Sequence, residues 1–198
     1  MVKLDVGAAS ELISALTARG YKAYAVGGCV RDLLCGKKPC DYDIATSALP
    51  DEVAEVFAGQ KVIGTGLKHG TVTVIVGGKP YEITTFRKDG DYADGRRPDS
   101  VQFVGDIVGD LSRRDFTVNA MAYNDEDGLI DPFGGEADLK NKILRCVGEP
   151  ERRFKEDALR ILRAVRFCAV CGFTPEENTV SAATRLRDGL KLGENTLR

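Results

Sequence analysis

Residues 21–45 leave little freedom in how the chain begins to fold. Tyr21 to Val26 is a short apolar stretch that reads as a strand. Gly27-Gly28 ends it, and Cys29 to Leu34 reads as one or two helical turns stopped near Gly36. A second strand follows over Tyr42 to Ala45, led by Asp41-Tyr42-Asp43-Ile44. Side chains alternate along a strand, so carboxylates at i and i+2 leave by one face. Paired acids on one face repel unless positive charge sits between them. The glycine pair and Arg31 just upstream suggest what brings that charge: a phosphate chain and its metal. Each part has a plainer reading by itself. Gly27-Gly28 is equally a strand-to-helix turn, and a bare Asp-x-Asp equally a solvated pair. The apolar Ile44 and Ala45 that follow, and the glycines upstream, make nucleotidyl transfer the leading expectation.

Composition narrows the setting. The chain has 198 residues, 43% hydrophobic and 29% charged, with a formal net charge of -2. A nucleic-acid partner therefore requires a local basic surface rather than a polycationic chain. No apolar run approaches bilayer length and the start lacks a signal-peptide core, so a cytoplasmic protein without a membrane partner is expected. The six cysteines form no disulfide pattern. Cys168-x2-Cys171 is half of a zinc spacing, with no second pair and only the distant His69 to help.

Further along, Ala8 to Ala18 reads as an amphipathic helix and Pro50 to Phe57 as another. Lys61 to Gly64, Thr71 to Val76 and Tyr81 to Phe86 are predicted strands, and Lys88 to Ser100 a long polar loop before a strand at Val101 to Val104. Short helical pieces follow at Asp106 to Leu111 and Thr117 to Met121. Leu129 to Ile130 reads as an edge fragment, and Asp131-Pro132-Phe133-Gly134-Gly135 as a break. After Gly148 the pattern is helical, over Glu149 to Phe154, Glu156 to Val170 and Glu176 to Arg187. The expected fold is α+β: a mixed, mainly antiparallel sheet flanked by helices over 1–147, then a helical unit over 148–198.

Nucleotidyl transfer needs in-line attack of a hydroxyl on an α-phosphate, and two divalent ions can activate the attacking oxygen and stabilise the leaving pyrophosphate. Carboxylates suit Mg2+, which prefers hard oxygen donors. Asp41 and Asp43 are thus the candidate catalytic and metal ligands. Glu82 shares a strand face with Thr84 and is either a third acid of the site or a solvated, ion-paired glutamate. Gly27 and Gly28 permit close backbone approach to a triphosphate, and Arg31 offers it a bidentate fork. Asp32 reads as a structural partner. In Arg113-Arg114-Asp115-Phe116-Thr117-Val118-Asn119-Ala120, Asn119 lies one turn past Asp115, so both can face one site and Asn119 can meet a ribose hydroxyl or a phosphate. The same run also reads as a capped surface helix.

Glu156 to Phe167 is dense in arginine, with Ala158, Leu159, Ile161, Leu162 and Val165 as its expected buried side. Glu156, Asp157, Arg160, Arg163 and Arg166 then form either a solvated, ion-paired face or a base reader. Cytosine and adenine both place an exocyclic amine beside a ring-nitrogen acceptor. Asp157 accepting from the amine and Arg160 donating to the ring would pass CTP and ATP and reject UTP and GTP, each mismatch costing roughly 1–3 kcal/mol.

Taken in order, Gly27-Gly28-x2-Arg31-Asp32, Asp41-x-Asp43, Arg113-Arg114-Asp115-Phe116-Thr117-x-Asn119-Ala120 and Glu156-Asp157-x2-Arg160 resemble the bacterial class II tRNA nucleotidyltransferase (CCA-adding enzyme) and poly(A) polymerase family over roughly residues 12–185. The resemblance implies a nucleotidyltransferase head and a helical neck, with CTP and ATP as substrates, two Mg2+ ions during turnover, and the 3′ end of tRNA as primer. It implies catalysis by Asp41 and Asp43 with Glu82 as third carboxylate, ribose and phosphate contacts from Arg114, Asp115 and Asn119, and base pairing by Glu156, Asp157 and Arg160 supported by Arg163 and Arg166. Asp91, Tyr92, Asp94, Arg96 and Arg97 resemble a loop linked to switching from C to A addition, and Asp131-Pro132 a hinge between head and neck. Family members are longer, with helical body and tail domains that hold the tRNA. That leaves poly(A) polymerase activity, or nucleotide binding with little or no turnover, as alternatives. Exposed neck helices also offer a surface for a homodimer.

Overall fold

The computed structural model describes residues 3–90 and 100–187. The chain opens with α1 (Ala9–Thr17), β1 (Ala23–Val26), α2 (Gly28–Leu34), β2 (Asp43–Thr46) and α3 (Pro50–Val56). The antiparallel run β3 (Lys61–Gly66), β4 (Thr71–Val76) and β5 (Lys79–Thr85) follows, then β6 (Arg87–Asp89) and β7 (Val101–Phe103). Next come α4 (Ile107–Ser112), a 3-10 turn at Thr117–Asn119, β8 (Ala122–Asn124), β9 (Gly128–Ile130), α5 (Gly135–Asn141) and β10 (Ile143–Leu144). The chain closes with α6 (Pro150–Glu156), α7 (Leu159–Cys171), β11 (Thr174–Pro175) and α8 (Glu177–Leu186).

Seven strands form one sheet in the order β3-β4-β5-β2-β1-β8-β9. Every pairing in it is antiparallel except β2 with β5. The fold is therefore the expected α+β arrangement: a mixed, mainly antiparallel sheet flanked by helices. Central β1 is buried along its whole length, and its side chains alternate between two cores. Ala23 and Ala25 join Leu16, Val30, Ile44 and Ile83 on one face; Tyr24 and Val26 join Ala45, Phe86, Leu111 and Ala122 on the other. The first core continues through Phe154, Ile161, Phe173 and Ala182, so the late helices pack on the same apolar mass as the sheet.

Several local expectations are corrected. Lys88 and Asp89, expected at the start of a loop, belong to β6, which pairs with β7 as a separate ribbon, while Asp91, Tyr92, Asp94, Arg96 and Arg97 lie outside the described residues. β8 was not anticipated, though it occupies an interior place beside β1. The break over Asp131 to Gly135 leads directly into α5, which the pattern does not predict: the Asp131 carboxylate accepts from the backbone N–H groups of Gly135 (2.7 Å) and Glu136 (2.9 Å) in its first turn. A side chain at Gly135 would strike the Thr117 carbonyl at 2.2 Å, which fixes glycine where α5 seats on the 3-10 turn. The helix expected over Glu156 to Val170 begins later, as α7 at Leu159, and Glu156 instead closes α6. Asp157 is extended (φ -145°) and its Oδ1 accepts from the Leu159 N–H at 2.9 Å, so α6 stops and α7 starts there. The buried face of α7 is also rotated from the expected one: Arg160, Ile161 and Ala164 turn inward, while Val165 is 60% and Val170 74% exposed.

Candidate active site

Strand register sets out the acids. Val26 of β1 stands opposite Asp43 of β2, and Asp43 stands opposite Glu82 of β5. Asp43 and Glu82 therefore leave the same face, away from the buried Ile44 and Ile83. Asp41 is exposed and precedes the strand rather than belonging to it. Although part of Asp43 reaches solvent, its carboxyl pKa is raised, first by burial, with Arg114 opposing the shift and Asp41 adding to it. Among the described residues no group of three or more His, Cys, Asp or Glu side chains is arranged to hold a metal ion. Asp43 and Glu82 are thus register neighbours on adjacent strands with Asp41 just before the sheet, not a closed three-ligand cage.

Gly27 links β1 to α2 with φ 74° and ψ -127°. A Cβ there would lie 2.8 Å from Arg114 Nη1, so glycine is needed both for the turn and for the arginine beside it. One turn on, Arg31 is held on every side. Its Nε and Nη2 donate to Asp32 Oδ1 (2.9 and 2.7 Å), and its Nη1 donates to Asn119 Oδ1 (2.7 Å). The guanidinium lies 5.3 Å from the Phe167 ring centroid. Asn119 Nδ2 in turn donates to Asp115 Oδ1 at 3.3 Å, and Asp115 Oδ2 accepts from Arg163 Nε (2.7 Å) and Nη2 (2.6 Å). One polar chain thus runs from α2 through the 3-10 turn to α7.

On the far side Arg160 is only 8% exposed. Its Nη1 donates to the Arg153 carbonyl (3.2 Å) and to Glu156 Oε2 (2.9 Å); its Nη2 donates to the Arg113 carbonyl (3.1 Å). A guanidinium carries five N–H donors. Three of them are spent on these partners. Glu156 also accepts from Arg152 and Arg153, and so works from behind Arg160.

These elements enclose a cleft of about 400 Å³. Its walls include Gly27, Gly28, Arg31, Asp43, Arg114, Asp115 and Asn119 from the sheet side, and Asp157, Arg160 and Arg163 from the helical side. Asp41, Glu82, Glu156 and Arg166 were expected in the site but do not line this cleft. Arg113 and Phe167 line it in addition to the residues that the sequence predicts. A signal for Phe167 was available, since it lies four residues after Arg163 on one helix. Five arginines and three aspartates stand in the walls, and each of these arginines is paired with a carboxylate: Arg31 with Asp32, Arg113 and Arg114 with Asp110, Arg160 with Glu156 and Arg163 with Asp115. A separate cavity of about 510 Å³ lies beside Arg145 and Arg185, and these arginines are likewise paired, with Asp138, Glu176 and Glu151.

Residues 23–145 match the model of the poly A polymerase head domain. The chain belongs to the CCA-adding enzyme and poly(A) polymerase family. It is 52% identical over 179 residues to a CCA-adding enzyme of Oceanobacillus iheyensis, covering 90% of this chain and 44% of that protein. It is 54% identical over 171 residues to the CCA-adding enzyme of Geobacillus stearothermophilus, covering 86% and 42% respectively. Among solved structures, the Bacillus stearothermophilus CCA-adding enzyme in complex with CTP superposes with a TM-score of 0.79 at 51% identity, over 88% of this chain and 41% of that one. A tRNA nucleotidyltransferase complexed with a primer tRNA and an incoming ATP analogue gives 0.72 at 34% identity, over 90% and 51%. The chain thus spans less than half the length of the curated relatives it matches and corresponds to the family's head and neck portion. Among the described residues no helix is long and apolar enough to cross a membrane.

Proposed function

We propose that this chain binds CTP and ATP in the arginine-lined cleft, as the nucleotide-handling head and neck of a tRNA nucleotidyltransferase. The observation that carries this is the convergence of four sequence-distant segments, around residues 27–31, 43, 113–119 and 157–167, on one cleft. Arg31 and Arg114 suit the phosphates, Asn119 the ribose, and Asp157 with the unspent donors of Arg160 the base edge.

The carboxylates fit a divalent ion. Partial burial and the neighbouring Asp41 raise the Asp43 carboxyl pKa while Arg114 opposes them, and hard oxygen donors of this kind suit Mg2+. Asp41 and Asp43 would hold it, with Glu82 next to Asp43 in register. Bound there, Mg2+ would supply Lewis-acid activation of the attacking hydroxyl and charge neutralisation on the triphosphate. The chain's own residues do the rest: the arginines orient the phosphates, Asn119 and Asp115 hold the ribose end, and α7 selects the base.

Nucleotide binding is the part that the cleft supports most directly. Transfer to the 3′ end of tRNA, with release of pyrophosphate, rests on relatives that extend far beyond the matched region, so the 198-residue chain should bind Mg-CTP and Mg-ATP with little or no turnover. Two assays test this. Calorimetric titration should give binding of CTP and ATP and at least tenfold weaker binding of UTP and GTP, about one mismatched hydrogen-bond pair. Incubation with tRNA lacking its 3′ terminus, and CTP and ATP separately and together, measures transfer. Equal affinity for all four nucleotides refutes the reading of α7. Efficient addition of C, C and A refutes the low-turnover expectation, and long A tails from ATP alone select the poly(A) polymerase reading.

A further inference from the structure

Asp110, on the buried side of Arg113 and Arg114, is the most completely buried carboxylate among the described residues. It lies on α4, three and four residues before Arg113 and Arg114. Its Oδ1 accepts from Arg113 Nε (3.0 Å) and from the backbone N–H of Arg87 (3.3 Å). Its Oδ2 accepts from Arg114 Nη2 (3.1 Å). One buried negative charge thus stands between two adjacent guanidinium groups that would otherwise repel each other across the cleft floor. Arg114 then turns its Nη1 toward Gly27, and its charge acts on Asp43. Arg114 Nε is buried and has no hydrogen-bond partner among the described residues, so this arginine is fixed by one nitrogen and keeps donor capacity at the others.

We propose that Asp110 is a positioning residue for triphosphate binding: its carboxylate holds Arg114 against Gly27 and beside Asp43, and so sets where the phosphate chain lies. This rests on the nucleotide-binding reading of the cleft. Asp110 touches no ligand itself and acts through Arg114. Asp110→Asn is nearly isosteric but removes the charge and turns an amide N–H toward one of the arginines, so Arg114 should lose its fixed place.

A double-variant cycle on the whole chain separates positioning from general loosening. Mg-CTP affinity is measured by calorimetry for the unaltered chain, D110N, R114Q and the double variant, each with a thermal melt. D110N should weaken Mg-CTP binding about tenfold, the equivalent of one charge-assisted hydrogen bond. In the R114Q background the same change should cost less than about twofold, because nothing is left to position. Equal losses in both backgrounds, or no loss in either, overturn the proposal. If D110N does not melt cooperatively, D110N/R113Q removes one cation together with the anion and carries the same comparison. Inorganic tripolyphosphate is titrated in parallel. A chain that binds it with this pattern but not Mg-CTP refutes the nucleoside reading and leaves the role of Asp110 standing, and a chain that binds neither overturns both.

Discussion

Gly27 and Gly28 are adjacent, yet the structure sets opposite expectations for replacing them with alanine. At Gly27 the backbone has φ 74° and ψ -127°, a region open in practice to glycine alone, and a new Cβ would lie 2.8 Å from Arg114 Nη1. Holding a non-glycine residue in such a conformation costs about 1–3 kcal/mol. The contact with Arg114 adds little to that, since the tip of a long side chain can withdraw, but the withdrawal takes the arginine from its place beside Asp43. For a chain of this size the backbone cost should lower the melting midpoint by roughly 2–12 °C, at about 2–4 °C per kcal/mol. Loss of one charge-assisted contact should weaken Mg-CTP by about 10- to 100-fold. Gly28 opens α2, and a Cβ there finds its nearest neighbour, Arg31 Nη2, at an ordinary 3.7 Å. Gly28→Ala should be neutral or stabilising by up to about 1 kcal/mol through helix propensity. Differential scanning calorimetry with Mg-CTP titration on both variants decides it. A Gly27→Ala protein that melts and binds like the parent, or a Gly28→Ala protein damaged as badly, would refute the account of this turn.

Three further predictions are independent of that turn. Burial pushes the Asp110 carboxyl up, but Arg114 and Arg113 outweigh it and hold the group below the usual carboxylate range. Its contribution to stability is therefore present above the unfolded-state value of about 4 and lost as pH falls through the folded-state value. The gap in melting temperature between the parent and D110N should be constant above pH 5 and close as pH falls below 4; a gap that widens there would refute this. Burial raises the Cys29 thiol to about 11 and the Cys146 thiol to about 12. A disulfide-exchange reagent at pH 7.5 should consume the exposed Cys35 and Cys40 rapidly and reach Cys29 and Cys146 only on unfolding, as peptide mass mapping of the labelled chain would show. Glu156→Gln should loosen Arg160 and reduce the preference for CTP over UTP by about 5- to 30-fold, roughly 1–2 kcal/mol, with a smaller change in affinity for CTP itself. An unchanged preference in competitive titrations would place base selection elsewhere.

What was legible in the sequence was local. Strand, glycine pair, short helix and acidic strand over residues 21–46 follow from spacing and turn chemistry within a few residues, and they form as expected apart from their ends. In the arginine-rich stretch the junction between helices lies at 157–158 rather than at 155, because the periodicity runs unbroken through it. Periodicity does not show that Asp157 lends one carboxylate oxygen, Oδ1, to the Leu159 N–H. Nor does pattern show that Arg160 is buried, since the carbonyls of Arg113 and Arg153 that make burial tolerable come from elsewhere in the fold. β8 escaped because three residues between a 3-10 turn and a tight hairpin carry too little pattern; its place beside β1 supplies the stability that its composition does not. Asp110 carried a readable cue in its spacing to Arg113 and Arg114, but burial turns that spacing from a surface ion pair into a divider between two cations.

The bond from Arg160 to the Arg113 carbonyl also bears on any attempt to redesign the protein. The side chain proposed for the base hangs from the backbone that carries the arginines proposed for the phosphates. Selectivity and grip therefore share one hinge pin. A library that varies α7 to accept a new base will disturb triphosphate affinity as well, unless residues 110–114 are varied with it.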